Sequence, residues 1–334
     1  MTNEPILSIK DLKVVFPATV PGSRKKVDAR AVDGVSLDIA RAETVALVGE
    51  SGSGKTSIAN AVMRLVKPSS GSIQFEGTDL VGLSGEALRT MRPRFQMIFQ
   101  DPFESLDPRR TVLDTVIEPL IIHKIGNSEE ERHAMALMAL ERAGLVPAEQ
   151  IGARFTFQLS GGQRQRVAIA SAMILEPALV VADEPVSMLD VSLRAGILKV
   201  MRDMRDRLGV SYLFITHDLS LAWMFADRIA VVYLGRIIEE APSAELIANP
   251  SHPYTQALVS VIPVPETTSN RERIVLSGEI PNPTAVPVGC RFHPRCPKFR
   301  ELGEPEQCTT QDPELHTIAF NGEGVHKVAC HFAN

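Results

Sequence analysis

Eight consecutive residues, Gly49-Glu50-Ser51-Gly52-Ser53-Gly54-Lys55-Thr56, place glycines, a lysine and a hydroxyl at the spacing of a phosphate-binding loop. The glycines let the backbone turn its N–H groups inward onto phosphate oxygens, and a helix starting there adds its positive end. Lys55 supplies a cation for the β and γ phosphates of a nucleotide, and Thr56, followed by Ser57, supplies a hydroxyl for Mg²⁺.

A second group lies at Leu179-Val180-Val181-Ala182-Asp183-Glu184, an apolar strand that ends in two adjacent acids. Charge is costly to bury unless something compensates it, so paired carboxylates at such a strand end point to a use. Asp183 is placed to hold the metal and Glu184 to polarise an attacking water. A third group, Leu159-Ser160-Gly161-Gly162-Gln163, opens an amphipathic helix through Val167, Ile169 and Met173 and forms a second anion cradle. One chain with one phosphate loop has no evident need of two cradles. The simplest resolution is that the second serves the nucleotide of another copy or partner, so that two chains sandwich two ATP molecules. His217 follows the apolar run Tyr212 to Ile215, at the carboxyl edge of a sheet where ligands are commonly bound.

All four cysteines, Cys290, Cys296, Cys308 and Cys330, fall in the last 45 residues, separated by five, eleven and twenty-one residues. In a reducing compartment a clustered set favours metal over disulfides, and four thiolates can hold either tetrahedral Zn²⁺ or an iron–sulfur cluster.

These residues need elements to position them. Ile6 to Phe16 and Ala31 to Ile39 read as two strands joined by the loop Pro17 to Arg30, and Thr44 to Val48 as a third strand ending at Gly49. After the glycine loop, Ile58, Ala59, Val62, Met63 and Leu65 recur at helical spacing. Residues from about 84 to 175 read as mostly helical, with Ser128 and Glu131 as a capping box. Strands return at Leu179 to Ala182 and Tyr212 to Ile215 around the helix Leu193 to Leu208, the pattern of a parallel α/β sheet. Arg228 to Tyr233 and Arg236 to Glu239 form a hairpin across Leu234 and Gly235. From about 246 onward, prolines at 250, 253, 263, 265, 281, 283 and 287 predict a loop-rich extension.

The length, 334 residues, suits one large domain with an appendix. With Lys+Arg 35 against Asp+Glu 40, well mixed and net -5, there is no basic stripe for nucleic acid. No signal peptide is expected from the first residues, and the longest apolar runs are too short to cross a bilayer.

Taken together, the motifs resemble those of the ATP-binding-cassette (ABC) ATPases. The phosphate loop, Gln100, the Leu159–Gln163 signature, Asp183-Glu184, Ser187-Met188-Leu189-Asp190 and Thr216-His217-Asp218 occur in that family's order. The resemblance implies a phosphate-loop, RecA-like α/β core with an antiparallel β subdomain and a helical subdomain, plus the cysteine-containing extension. Residues 1–245 would be the nucleotide-binding domain, with the helical subdomain about 96–163, and 246–334 the extension. It implies ATP and Mg²⁺, with Gln100 touching the metal or the lytic water, Asp190 at a dimer interface, His217 on the γ phosphate and Phe16 stacked on adenine. Gln100-Asp101-Pro102, Asp107-Pro108-Arg109, His252-Pro253-Tyr254 and the stretch Gly289 to Pro297 are similar to the ATPases of dipeptide and oligopeptide importers, nearest the second ATPase of such machines.

The implied partners are a non-identical sister ATPase, two transmembrane permeases and, indirectly, an extracytoplasmic binding protein, with the chain on the cytoplasmic face of the bacterial inner membrane. Cargo would be di- or oligopeptides, the alternatives being nickel, glutathione or oligosaccharides. The group also implies a 4Fe–4S cluster at the four cysteines. ABC ATPases of DNA repair carry long coiled coils and ribosomal ones two fused cassettes; neither feature is present in the sequence.

Overall fold

The protein is described by a computed structural model over residues 4–19, 26–262, 273–320 and 322–333. It divides into two compact units, one built from residues up to Leu7, Ile39–Thr44 and Gln74–Ile215, the other from Ser8–Asp38, Val45–Ile73 and residues from Thr216 onward. Among the described residues no helix is long and apolar enough to cross a membrane.

The first unit carries three parallel strands, Phe95–Ile98, Leu179–Asp183 and Ser211–Thr216, with Phe95 opposite Leu179 and Leu179 opposite Ser211. The middle strand is buried along its whole length, as a strand covered on both faces must be. Helix Gly161–Met173 packs on Phe95–Ile98, and helices Val112–His123, Glu129–Arg142 and Val191–Leu208 pack on that helix. The predicted helical stretch from 84 to 175 holds except at Phe95–Ile98. Four residues behind the turn Arg92–Arg94 are too few to show a period of two, and their strand character comes from pairing with Leu179–Asp183. The predicted capping box is half formed. Ser128 accepts from the Glu131 N–H at 3.1 Å, but the Glu131 carboxylate accepts from Asn127, one residue earlier than the motif requires.

In the second unit, Thr44–Val48 runs parallel to Arg228–Tyr233, with Val45 opposite Arg228 and Val48 opposite Val231. The predicted hairpin is present: Arg228–Tyr233 and Arg236–Pro242 pair antiparallel. Leu234 and Gly235, at φ 43° and 76°, make the two positive-φ positions its tight turn requires. Strands Leu7–Thr19 and Lys26–Ile39 lie side by side and extend further into the predicted loop than the sequence suggests; the residues between them lie outside the described ones.

Two strands of three residues, His316–Ile318 and His326–Val328, have no sequence signal. The second continues the hairpin's sheet, pairing Val328 with Glu239. This join buries Glu239 completely. Its carboxylate accepts from the N–H groups of Ser251 at 2.7 Å and His252 at 2.9 Å and meets His326 Nε2 at 2.8 Å, so the charge is compensated where it is desolvated. Burial alone would lower the His326 pKa, but the hydrogen bond and charge of Glu239, with Glu245 behind it, raise it overall. A raised folded-state pKa stabilises the protein fully below the unfolded value of 6.5, and that contribution disappears as the pH rises through the folded value. The melting temperature of the wild type should therefore exceed that of His326→Gln most at pH 6 and below. The difference should shrink as the pH is raised above 6.5 and through the folded value, as thermal melts of both proteins across that range will show.

Candidate functional site

The phosphate loop leaves the buried strand Thr44–Val48 and turns at once into helix Lys55–Val62. Glycine is demanded at two of its positions. A Cβ on Gly49 would lie 2.2 Å from the Val232 carbonyl oxygen, and Gly54 combines φ +107° with a Cβ position 2.2 Å from the Ala31 carbonyl. Gly54 also stands at the helix N-cap and offers no side chain to the first N–H groups, the kind of helix start that can receive an anion. Lys55 is 5 % exposed and folds back over the loop. Its ammonium donates to the carbonyls of Gly49 at 2.8 Å and Glu50 at 2.9 Å and to Ser53 Oγ at 3.4 Å. Ser51, Gly52 and Thr56 are exposed, and Ser57 is half-buried. The Glu50 side chain turns to Arg295, whose guanidinium donates to both carboxylate oxygens at 2.9 and 3.2 Å, and the Glu50 N–H donates to Tyr254 Oη at 3.0 Å. Phe16, on strand Leu7–Thr19, is 38 % exposed, so its side chain is not buried in the core.

In the first unit, the parallel strands set their carboxyl ends side by side, and the residues that follow meet there. Gln100 donates from Nε2 to Glu184 Oε2 at 3.1 Å. Asp183 closes strand Leu179–Asp183 with 4 % exposure, and Glu184 turns out of it at φ 45°, its N–H donating to the Ile215 carbonyl at 2.9 Å. A left-handed residue at this point is a strained geometry that redirects the side chain away from the strand's path. Ser160 caps helix Gly161–Met173 in a full capping box. Its Oγ accepts from the Gln163 N–H at 3.3 Å, and Gln163 Oε1 accepts from the Ser160 N–H at 3.1 Å. Gly162 packs where a Cβ would stand 3.3 Å from Leu193; a Cβ on Gly161 would lie 3.7 Å from Leu189. Asp190 is exposed at the N-cap of Val191–Leu208. In the second unit, His217 is exposed just past strand Ser211–Thr216, and Asp218 caps the helix Leu219–Phe225 behind it.

The four cysteines are brought around one small cavity of about 20 Å³, with Phe292 and Phe299 among its walls. All four are free thiols. Burial pushes Cys290 up to about 12 and raises Cys296, Cys308 and Cys330 as well, so this environment favours neutral thiols over the thiolates a metal needs. The space is about that of one water molecule. Among the described residues, no group of three or more His, Cys, Asp or Glu side chains is arranged to hold a metal ion. The iron–sulfur cluster implied by the family resemblance, and the zinc alternative for four clustered thiolates, therefore gain no support.

The sequence reading missed the grip of Tyr254 and Arg295 on Glu50. Arg295 is 245 positions away in the chain, and nothing local marks either residue as a partner of the loop.

Residues 32–187 match the family described as ABC transporter, and residues 238–301 match the oligopeptide/dipeptide transporter C-terminal region. The oligopeptide transport ATP-binding protein AppF of Bacillus subtilis is 44% identical over 332 residues, covering 98% of this chain and 97% of that one. The chain belongs to the ABC transporter ATPases. A Brucella ovis relative with a peptide import ATP-binding name is 46% identical over 318 residues, covering 95% of this chain and 96% of its own. Among solved structures, the ATP-binding cassette MJ0796, a dimer in a post-hydrolysis state bound to ADP and Pi, superposes with a TM-score of 0.63 at 30% identity over 71% of this chain and 98% of that one. CbiO1 of Clostridium perfringens, part of the ABC transporter complex cbiONQ, gives 0.64 at 28% over 74% and 92%.

In this ABC ATPase, Gly49→Ala should weaken ATP binding at least tenfold, about 1.4 kcal/mol, because the loop must move off the Val232 carbonyl. Equilibrium titration with a fluorescent ATP analogue measures the loss, and an unchanged circular dichroism spectrum confirms that the fold is kept.

Proposed function

We propose that this ABC ATPase is the ATP-hydrolysing motor of an importer of di- or oligopeptides. The observation that carries the reading is full-length similarity at 44% and 46% identity to proteins named for oligopeptide transport and peptide import, together with the match of residues 238–301 to the C-terminal region of such transporters. Residues 1–245 would form the nucleotide-binding domain, with its helical subdomain at about 96–163, and 246–334 the extension.

In this reading, the 49–56 loop holds the phosphates of ATP, Lys55 meets the β and γ phosphates, and Phe16 stacks on adenine. Bound Mg²⁺ would neutralise phosphate charge and would be held by Thr56, Asp183 and Gln100; the buried carboxylate of Asp183 and the exposed hydroxyl of Thr56 suit a hard cation. Glu184 acts as general base on the attacking water, held in place by the Gln100 amide. His217 contacts the γ phosphate. Ser160, Gly161, Gly162 and Gln163 serve the nucleotide of a sister ATPase, non-identical to this chain, with Asp190 beside the shared interface. ATP binding closes the pair and hydrolysis reopens it, and the stroke moves two transmembrane permeases supplied by an extracytoplasmic binding protein. The chain works from the cytoplasmic face of the inner membrane.

Glu184→Gln should bind ATP with wild-type affinity while turnover falls a hundredfold or more, on the order of the contribution of a general base. Phosphate release and nucleotide binding, measured on the same preparation, test this; undiminished turnover would remove Glu184 from the role.

A further inference from the structure

Glu50 sits inside the phosphate loop, yet it puts a carboxylate into a segment whose task is to receive a highly charged anion. The structure shows what deals with that charge. Arg295 is 8 % exposed at its side chain and donates to both Glu50 oxygens, the bidentate geometry in which a guanidinium and a carboxylate match best. Burial works against the Arg295 charge, but its hydrogen bonds and ion pairing with Glu50 raise its pKa overall, so the cation is retained.

The arginine is itself firmly seated. It ends the turn His293–Arg295, its N–H donating to the Phe292 carbonyl at 3.0 Å, and its guanidinium lies 6.0 Å from the centre of the Tyr233 ring. Tyr233, Tyr254 and Phe292 pack on one another with ring centres 4.9 to 5.4 Å apart. Four residues before Arg295, Arg291 donates to the Leu234 carbonyl at 2.7 Å. From the same aromatic cluster, Tyr254 Oη accepts the Glu50 N–H. The Glu50 peptide is thus held at its N–H by Tyr254, at its carboxylate by Arg295 and at its carbonyl by the Lys55 ammonium.

We propose that Arg295 and Tyr254, in the C-terminal extension, are positioning residues of the ATP site: they fix the Glu50 peptide that holds Lys55, and Arg295 cancels the Glu50 charge that would otherwise repel the phosphates. This rests on the reading that the 49–56 loop holds ATP. It gives the extension a task in nucleotide affinity, separate from any contact with other subunits. Removing Arg295 leaves a bare carboxylate in the loop, and neutralising that carboxylate should then repair much of the damage.

The test is titration of the full chain with a fluorescent ATP analogue and Mg²⁺, with the melting temperature of each variant recorded alongside. Arg295→Ala should raise the Kd for the nucleotide roughly tenfold, as loss of a hydrogen-bonded charged partner does. Adding Glu50→Gln to that variant should recover most of the affinity, and Tyr254→Phe should raise the Kd by about threefold through the lost acceptor. If Arg295→Ala does not fold, the charge arm is read from Arg295→Lys, which should bind ATP better than Arg295→Met. Wild-type binding with an unchanged Kd in Arg295→Ala, or additive losses in the double variant, overturns the proposal. Failure of the wild type to bind the nucleotide at all overturns the phosphate-loop reading on which it rests.

Discussion

Burying the ammonium of Lys55 is the constraint around which the nucleotide-binding part of this protein is arranged. A desolvated cation costs free energy unless its donors are met, and here the loop's own carbonyls and Ser53 Oγ meet them. For those carbonyls to point at one lysine, the backbone must turn sharply at Gly49 and Gly54, in spaces bounded by the Val232 and Ala31 carbonyls. Those carbonyls belong to strands of two different sheets, Arg228–Tyr233 and Lys26–Ile39, so the loop's shape depends on both being in place. The Ser53 carbonyl, in turn, accepts from the Gly235 N–H of the hairpin turn. Motif, hairpin and helix start are therefore one construction.

The first unit solves a different problem by similar means. Parallel strands bring residues distant in sequence to one sheet end, and Gln100 meets Glu184 because Ile98 stands opposite Ala182. The left-handed turn at Glu184 then aims the carboxylate. Neighbouring Asp183, left in the strand, stays buried. Two adjacent acids acquire different surroundings from one backbone turn, which suits them to different roles.

Much of this was legible in the sequence where the physics is local. The phosphate loop, the strand ending in Asp183-Glu184, the Leu234-Gly235 hairpin and the Ser160–Gln163 helix start all carry their own signal in residue type and spacing, and the structure forms each of them. What was not legible is non-local. Phe95–Ile98 is a strand because of its partner, and so is His326–Val328, which pairs with Arg236–Pro242 and brings His326 to Glu239. Arg295 and Tyr254 touch the phosphate loop only after the chain has folded back across more than two hundred residues. The clustering of the cysteines and the family resemblance pointed to a metal centre; the folded chain gathers the thiols around a space the size of a water molecule, where burial raises their pKa values.

In the proposed motor, the phosphate loop and the Ser160–Gln163 helix start are two halves of nucleotide recognition, used by partnered chains. Hydrogen–deuterium exchange on the assembled ATPase pair, with Glu184→Gln to hold the ATP state, tests this most directly. Adding Mg²⁺ and ATP should slow amide exchange in residues 49–56 and in residues 160–163 together. Protection confined to 49–56 would contradict the shared site, and no protection in 49–56 would contradict the account of the loop itself.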